Sequence, residues 1–145
     1  MRQKETQLED NLLELTIKDG GGSCRVVFDP TDAAFVEKLF HVFDALDAKQ
    51  QDMEARIRDA QPREVFAIAR ESDAEVRSLL DAALGEGTCA ALWGEINAYA
   101  YAGGLPKWAN LLIAVMDECD ESFTKQQELT RSRLEKYTAK YSRRR

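Results

Sequence analysis

One stretch of the sequence decides the fold: GGLPKWANLLIAVMDECDESF, residues 103–123. The two glycines end one element, and Pro106 suits the first position of a helix, where no amide hydrogen is needed. Apolar residues then recur at steps of three and four, which is the period of a helix with one buried face. These residues are Trp108, Leu111, Leu112, Val115, Met116, Cys119 and Phe123. The stretch predicts a long C-terminal helix whose first half, residues 106–124, packs on the body.

The same helix reverses its charge along its length. Its first half carries Asp117, Glu118, Asp120 and Glu121, whereas residues 125–145 contain eight Lys or Arg and only two Asp or Glu. The whole chain has a formal net charge of −6, so the rest of it is strongly acidic. An acidic body with a basic extension indicates a contact with an anionic partner or with the acidic body of a neighbouring copy.

The extension, residues 125–145, keeps a thin apolar stripe. After Phe123 the stripe continues through Leu129 or Thr130 and then through three further residues at helical spacing. We therefore predict a partner-binding face on the extension, with Trp108 as an additional aromatic contact. The predicted partner-binding residues are Trp108, Lys125, Arg131, Arg133, Leu134, Lys136, Tyr137, Lys140 and Tyr141.

Residues 12–28 predict a β-hairpin. Residues 12–18 alternate imperfectly between apolar and polar side chains, as does a strand with one buried face. Asp19-Gly20-Gly21-Gly22-Ser23 can turn the chain, because glycine accepts a positive φ. A second apolar strand follows over residues 24–28.

Helix signals fill the rest of the body. Asp29-Pro30 predicts a helix over residues 30–59, which is apolar on much of its surface at first and keeps a narrow stripe later. Pro62 restarts a helix over residues 62–84, and Thr88 is a possible cap for a third over residues 88–102. The prediction is an α+β fold that is mainly α. It has an N-terminal hairpin, about four helices, a body over residues 1–124 and a basic helical extension.

The sequence contains little that indicates catalysis. The chain has one histidine, His41, which lies within an apolar stretch and follows no catalytic or zinc-binding motif. Asp117, Asp120 and Glu121 could share a helix face as metal ligands. A dinuclear metal site in a helical bundle would also need Glu-x-x-His pairs, and the sequence has none. We expect a solvated acidic face, no metal, no cofactor and no enzymatic activity.

The sequence also favours an intracellular protein. Its longest strongly apolar run, residues 111–116, is too short to cross a bilayer, and the polar N-terminus lacks a signal core. The three cysteines, Cys24, Cys89 and Cys119, have no metal-ligand spacing and suit small buried side chains in a reducing cytoplasm.

Two features leave alternatives open. The basic extension, in which Tyr137 and Tyr141 alternate with cations, could bind nucleic acid, although the acidic body would repel a polyanion. It could instead bind a protein, or serve only for solubility. The aromatic residues around the Gly-Gly-Leu-Pro turn could form a core corner or an interface anchor. They are Trp93, Tyr99, Tyr101 and Trp108.

Three short motifs carry a resemblance to a known family. They are FDPTD at residues 28–32, NAYAYAGGLPKWAN at residues 97–110 and KYTAKYSRR at residues 136–144. With the hairpin, they resemble small proteins encoded in phages and prophages of Gram-positive bacteria, which are similar to tail assembly chaperones of long-tailed phages. The resemblance covers most of the chain from about Leu12 to Arg145.

The resemblance implies a non-enzymatic role in the cytoplasm of an infected or lysogenic bacterial host. Such chaperones bind the long, aggregation-prone tape measure protein, keep it in solution and help to recruit tail tube protein. The alternatives are an oligomeric structural phage component, such as a connector, minor tail or scaffold-type protein, and a nucleic-acid-binding regulator. We expect a tape measure protein as the main partner, with tail tube protein and a second copy of the chain as further candidates, and no membrane.

Overall fold

The computed structural model describes residues 1–142, and the side chains of residues 1–140. The predicted fold class, α+β and mainly α, is confirmed. The elements in chain order are β1 Leu13–Asp19, β2 Gly22–Phe28, α1 Ala33–Asp59, α2 Pro62–Leu84, α3 Thr88–Trp93, β3 Tyr101–Ala102, β4 Leu105–Pro106 and α4 Lys107–Ser142.

The predicted hairpin is present. β1 and β2 pair antiparallel from Leu13 opposite Phe28 to Asp19 opposite Gly22, so the turn has two central residues. Gly20 has a φ of 58°, which glycine adopts without the steric cost that a side chain would add. One face of β2 is buried through Cys24, Val26 and Phe28, and the alternate residues are exposed. The hairpin therefore covers one side of the helical core.

Helix α1 begins three residues later than predicted. The side chain of Asp32, not that of Asp29, caps the helix and accepts a hydrogen bond from the amide of Ala34 at 3.0 Å. Asp29 instead accepts hydrogen bonds from the amide and hydroxyl of Thr31, each at 3.0 Å, and closes a turn. The cap therefore lies three residues after the predicted one.

Helix α2 has the predicted bounds and packs against α1. Its buried stripe includes Ile68, Val76, Leu80 and Leu84. Exposed ion pairs join the two helices, at 3.0 Å between Lys49 and Glu75 and at 3.1 Å between Arg56 and Glu71. Because such pairs contribute little stability, the apolar stripe holds these helices together.

The third helix is much shorter than the predicted span of residues 88–102. It ends at Trp93, and Gly94 then adopts a φ of 58°. The following segment is held by α2, because Asp73 accepts a hydrogen bond from the amide of Ala98 at 2.7 Å. The Asn97 side chain donates to the Ala69 carbonyl at 3.1 Å. These long-range bonds replace the helical bonds that the apolar spacing predicted.

Helix α4 runs antiparallel to α1. At its start, the Trp108 ring lies 5.4 Å from the Phe43 ring, and its Nε1 donates to Gln50 at 2.7 Å. Eleven residues further along, Cys119 is near Asp29, which precedes α1. The second half of α4 therefore extends beyond the N-terminal end of α1. Within residues 1–142, no helix is long and apolar enough to cross a membrane.

The phenol of Tyr99 is buried close to carboxylates. Burial, and then the negative charges of Glu75, Asp73 and Asp52, raise the pKa of Tyr99 to about 12 from the ordinary 10.0. Its hydroxyl has no hydrogen-bond partner among the described residues. Since burying an unpaired hydroxyl costs desolvation energy, Tyr99→Phe should be neutral or more stable by about 1 kcal/mol at pH 7.

The pH dependence of Tyr99→Phe tests this environment. Because the folded-state pKa is raised, Tyr99 adds no pH dependence to stability below pH 10.0, and it lowers stability as pH rises from 10.0 toward about 12. We expect the wild type to lose up to about 1.4 kcal/mol per pH unit relative to Tyr99→Phe in that window. Urea unfolding of both proteins from pH 7 upward measures it, and parallel curves would contradict the assignment.

Candidate functional site

The projecting half of α4 is the most unusual surface of the described chain. Val115 and Cys119 are buried, at 0% and 2% exposure, whereas every residue from Thr124 to Lys140 is exposed. Residues 125–140 form about 24 Å of helix at 1.5 Å per residue. Isolated helices of this length are marginal in water, because nucleation is costly. The first half of α4 is already folded on the body, so the projecting half does not need a nucleus of its own.

An apolar stripe runs off the body along this helix. We call the seam the residues Phe123, Gln127, Thr130, Leu134 and Tyr137, which follow one another at steps of four and three. The seam continues the packed stripe of Leu112, Met116 and Cys119. Its large apolar members are 38% exposed at Phe123, 61% at Leu134 and 46% at Tyr137. The helix face that packs on the body in the first half of α4 is therefore exposed to solvent in the second half.

Basic side chains lie on several sides of the projecting helix. Lys125 forms an exposed ion pair with Glu121 at 3.4 Å, and Arg133 forms one with Glu9 at 3.7 Å. The other predicted cations, Arg131, Lys136 and Lys140, have no ion pair within residues 1–140. Exposed pairs of this kind stabilise by less than about 1 kcal/mol, so a partner can displace them.

The chain's own N-terminal segment lies beside this helix, which the sequence did not predict. A cleft of about 590 Å³ separates the two. Its residues are Glu9, Asp10, Asn11, Asp29, Gln126, Leu129, Thr130 and Arg133. Acidic residues line one wall and Arg133 the other. The acidic charge of residues 5–10 was the one sequence signal for this contact. Local sequence patterns do not indicate which part of the chain these residues contact.

Trp108 corrects the prediction of a partner contact. It is 2% exposed, its ring packs against Phe43 and its Nε1 is hydrogen-bonded to Gln50. An indole that is buried and fully bonded is not available to a partner. Its place in the core follows from the first turn of α4 packing against the middle of α1.

The remaining predicted residues lie where the prediction put them, on the exposed helix. Leu134, Tyr137, Lys125, Arg131, Arg133, Lys136 and Lys140 are all exposed. They do not form a single patch, because the cations lie on several sides of the helix. Tyr141 belongs to α4, but its side chain lies outside those that the structure describes.

Asp19 fixes the base of α4, which no local sequence pattern predicted. Its Oδ2 accepts hydrogen bonds from Lys107 Nζ at 2.8 Å and from Trp93 Nε1 at 3.0 Å. The Lys107 side chain is only 13% exposed, so this charge-assisted bond is shielded from water. One carboxylate thus ties the hairpin turn to α3 and to the first residue of α4, and sets the direction in which the helix projects.

The titratable side chains have structural surroundings. His41 is exposed and pairs with Glu37 one helical turn away at 3.4 Å. All three cysteines are free and buried. Burial raises the pKa of the Cys24, Cys89 and Cys119 thiols, which lowers their reactivity at neutral pH. Among residues 1–142, no three or more His, Cys, Asp or Glu side chains are grouped to hold a metal ion.

Comparison of the chain with protein-family models, with curated proteins and with solved structures finds no match. The resemblance to phage tail assembly chaperones therefore remains a prediction from the sequence motifs. The candidate site is defined by the geometry alone: a fixed helical base, an exposed apolar seam and, on the same helix, three cations without an ion pair within residues 1–140.

Proposed function

We propose that this chain is a non-enzymatic assembly chaperone of phage tails, which holds an aggregation-prone helical segment of a tape measure protein along the seam of α4. One observation carries the proposal: the stripe that packs Leu112 and Cys119 on the body continues, exposed, to Leu134 and Tyr137. A helix whose apolar face extends beyond its own hydrophobic core can pack against a partner helix.

The composition of the seam suits temporary holding. Leu134 and Tyr137 supply apolar contact area, whereas Gln127 and Thr130 interrupt the stripe with polar groups. A stripe with polar interruptions packs less tightly than a continuous Leu and Ile seam, which favours release over permanent assembly. The neighbouring cations can also attract acidic residues of the partner and so speed its approach.

Co-expression tests this proposal directly. A long helical tape measure protein should yield more soluble material with the wild-type chain than alone. Leu134→Glu/Tyr137→Glu should remove most of that gain in soluble yield. We expect its affinity for the tape measure protein to fall at least about tenfold, because two charges would then lie on the buried side of the contact. Soluble yield and co-purification are the measurements.

The chain offers a matched control for this experiment. Ser132→Glu/Ala139→Glu adds the same charge on the opposite side of the helix, at residues that are also exposed. We expect this control to keep the solubility gain. An equal loss in both double variants would mean that charge, not the seam, governs the contact. No gain with the wild type would overturn the proposed function.

A further inference from the structure

A second surface of the projecting helix is distinct from the seam. We call the basic face the residues Leu129, Arg133, Lys136 and Lys140, which follow one another at steps of four, three and four. At 3.6 residues per turn, this face is centred roughly 110° around the helix from the seam. All four residues are exposed, and Leu129 and Arg133 also border the cleft beside residues 9–11.

Helix α1 carries an acidic face with the same spacing. It consists of Phe40, Asp44, Asp47 and Gln51, again at steps of four, three and four. Phe40 is 54% exposed, although it is a large apolar residue. Asp44 and Asp47 are exposed and form no ion pair within residues 1–140, and Asp47 accepts only a 3.3 Å hydrogen bond from Gln51.

The two faces cannot meet within one chain. Because α4 runs antiparallel to α1, its first half lies beside the middle of α1 and its projecting half passes the N-terminal end. The basic face therefore lies beyond the N-terminal end of α1, out of reach of the acidic face of its own chain. Within residues 1–140, the one ion pair of the basic face joins Arg133 to Glu9 at 3.7 Å, and Glu9 is 93% exposed. Asp10 and Asp29 border the same cleft, so the partner's helix would displace the chain's own N-terminal segment from Leu129 and Arg133.

A two-fold axis perpendicular to α1 brings the faces of two copies together. It reverses the direction of α1 in the second copy, so the projecting α4 of one copy runs parallel to α1 of the other. Equal spacing then places Leu129 beside Phe40 and Arg133 beside Asp44. Lys136 falls beside Asp47 one step further on, so a single apolar contact is followed by two pairs of opposite charge.

We propose that the chain forms a reciprocal dimer, in which the basic face of each α4 lies along the acidic face of the partner's α1. The arrangement is closed, because the same two surfaces are used once by each copy. Charge complementarity selects this contact over a pairing of the two projecting helices, which would place basic residues against one another. The dimer goes beyond the proposed chaperone function, since it leaves the seam free for a client.

Charge reversal on the two faces gives the decisive experiment. Arg133→Glu/Lys136→Glu puts acid against acid in a self-dimer, and Asp44→Lys/Asp47→Lys puts base against base. Each variant alone should weaken the dimer at least tenfold. A mixture of the two should form a heterodimer, because both of its contacts again join opposite charges. Light scattering after gel filtration should give twice the 16.4 kDa chain mass for the wild type and for the mixture.

Controls separate this contact from other ways to associate. Arg131→Glu reverses one charge on another side of the helix and should leave the dimer intact, and circular dichroism should show unchanged helix content in all variants. A monomeric wild type, dimers in both charge-reversed variants, or a mixture that stays monomeric would each overturn the proposal. Loss of the dimer in Leu134→Glu/Tyr137→Glu alone would assign self-association to the seam instead. The solubility of the tape measure protein is measured in a separate experiment. Failure of the proposed chaperone function can therefore be distinguished from failure of the dimer.

Discussion

Replacing Trp108 with alanine is expected to lower the free energy of unfolding by about 4 kcal/mol, as truncation of a large buried aromatic residue does. The indole is 2% exposed and contacts Phe43, and its loss would also leave Gln50 without its 2.7 Å hydrogen bond. The first turn of α4 would then lose its main contact with α1. Urea unfolding monitored by circular dichroism measures the change.

Leu134→Ala is the matched control, because Leu134 lies on the same helix but is 61% exposed. Its expected effect on unfolding is within about 0.5 kcal/mol. The two substitutions thus separate the halves of α4, one that stabilises the body and one that is available for binding. A Trp108→Ala protein with wild-type stability and lost binding would restore the sequence prediction that Trp108 contacts a partner.

Gly22→Ala is expected to destabilise the fold by about 3 kcal/mol, through steric overlap that the core cannot relieve. A Cβ at this position would clash with the carbonyl oxygen of Leu92, and would lie 2.8 Å from its carbonyl carbon and 2.9 Å from the carbonyl oxygen of Ala91. These are backbone atoms near the end of α3, so no rotamer change can move them. Either the hairpin or α3 must shift.

The neighbouring glycine gives the control for this substitution. A Cβ at Gly21 would meet nothing within 4 Å, and Gly21 does not have a positive φ. Gly21→Ala should therefore leave the free energy of unfolding within about 0.5 kcal/mol of the wild type. Thermal unfolding of the two alanine variants compares them. Equal stability would mean that β2 and α3 are not in close contact.

The sequence predicted the helices and strands whose signals are local. The hairpin follows from alternating side chains around a glycine-rich turn, and α2 begins at Pro62 and ends at Leu84, as predicted. The stripe that starts at Trp108 predicted α4. Each of these signals depends on residues a few positions apart, so the sequence alone was enough.

The errors arose where distant residues compete with local preference. Residues 94–100 have the apolar spacing of a helix, but Asp73 and the Ala69 carbonyl on α2 bind this segment and hold it irregular. Asp29 resembles a helix cap, but the chain uses Asp32. Trp108 was predicted both in the packed stripe of α4 and among the partner contacts, because a turn with several aromatic residues looks the same in sequence whether it is buried or exposed.

The sequence by itself determined the fold class, the long last helix and its change from acidic to basic, because composition and periodicity are properties of neighbouring residues. Only the tertiary structure decided where α4 leaves the body. That point depends on the length of α1, on Asp19 fixing Lys107, and on the antiparallel packing that carries residues beyond Phe123 past the core. The apolar stripe is continuous in sequence, but the body that packs against it ends before the stripe does.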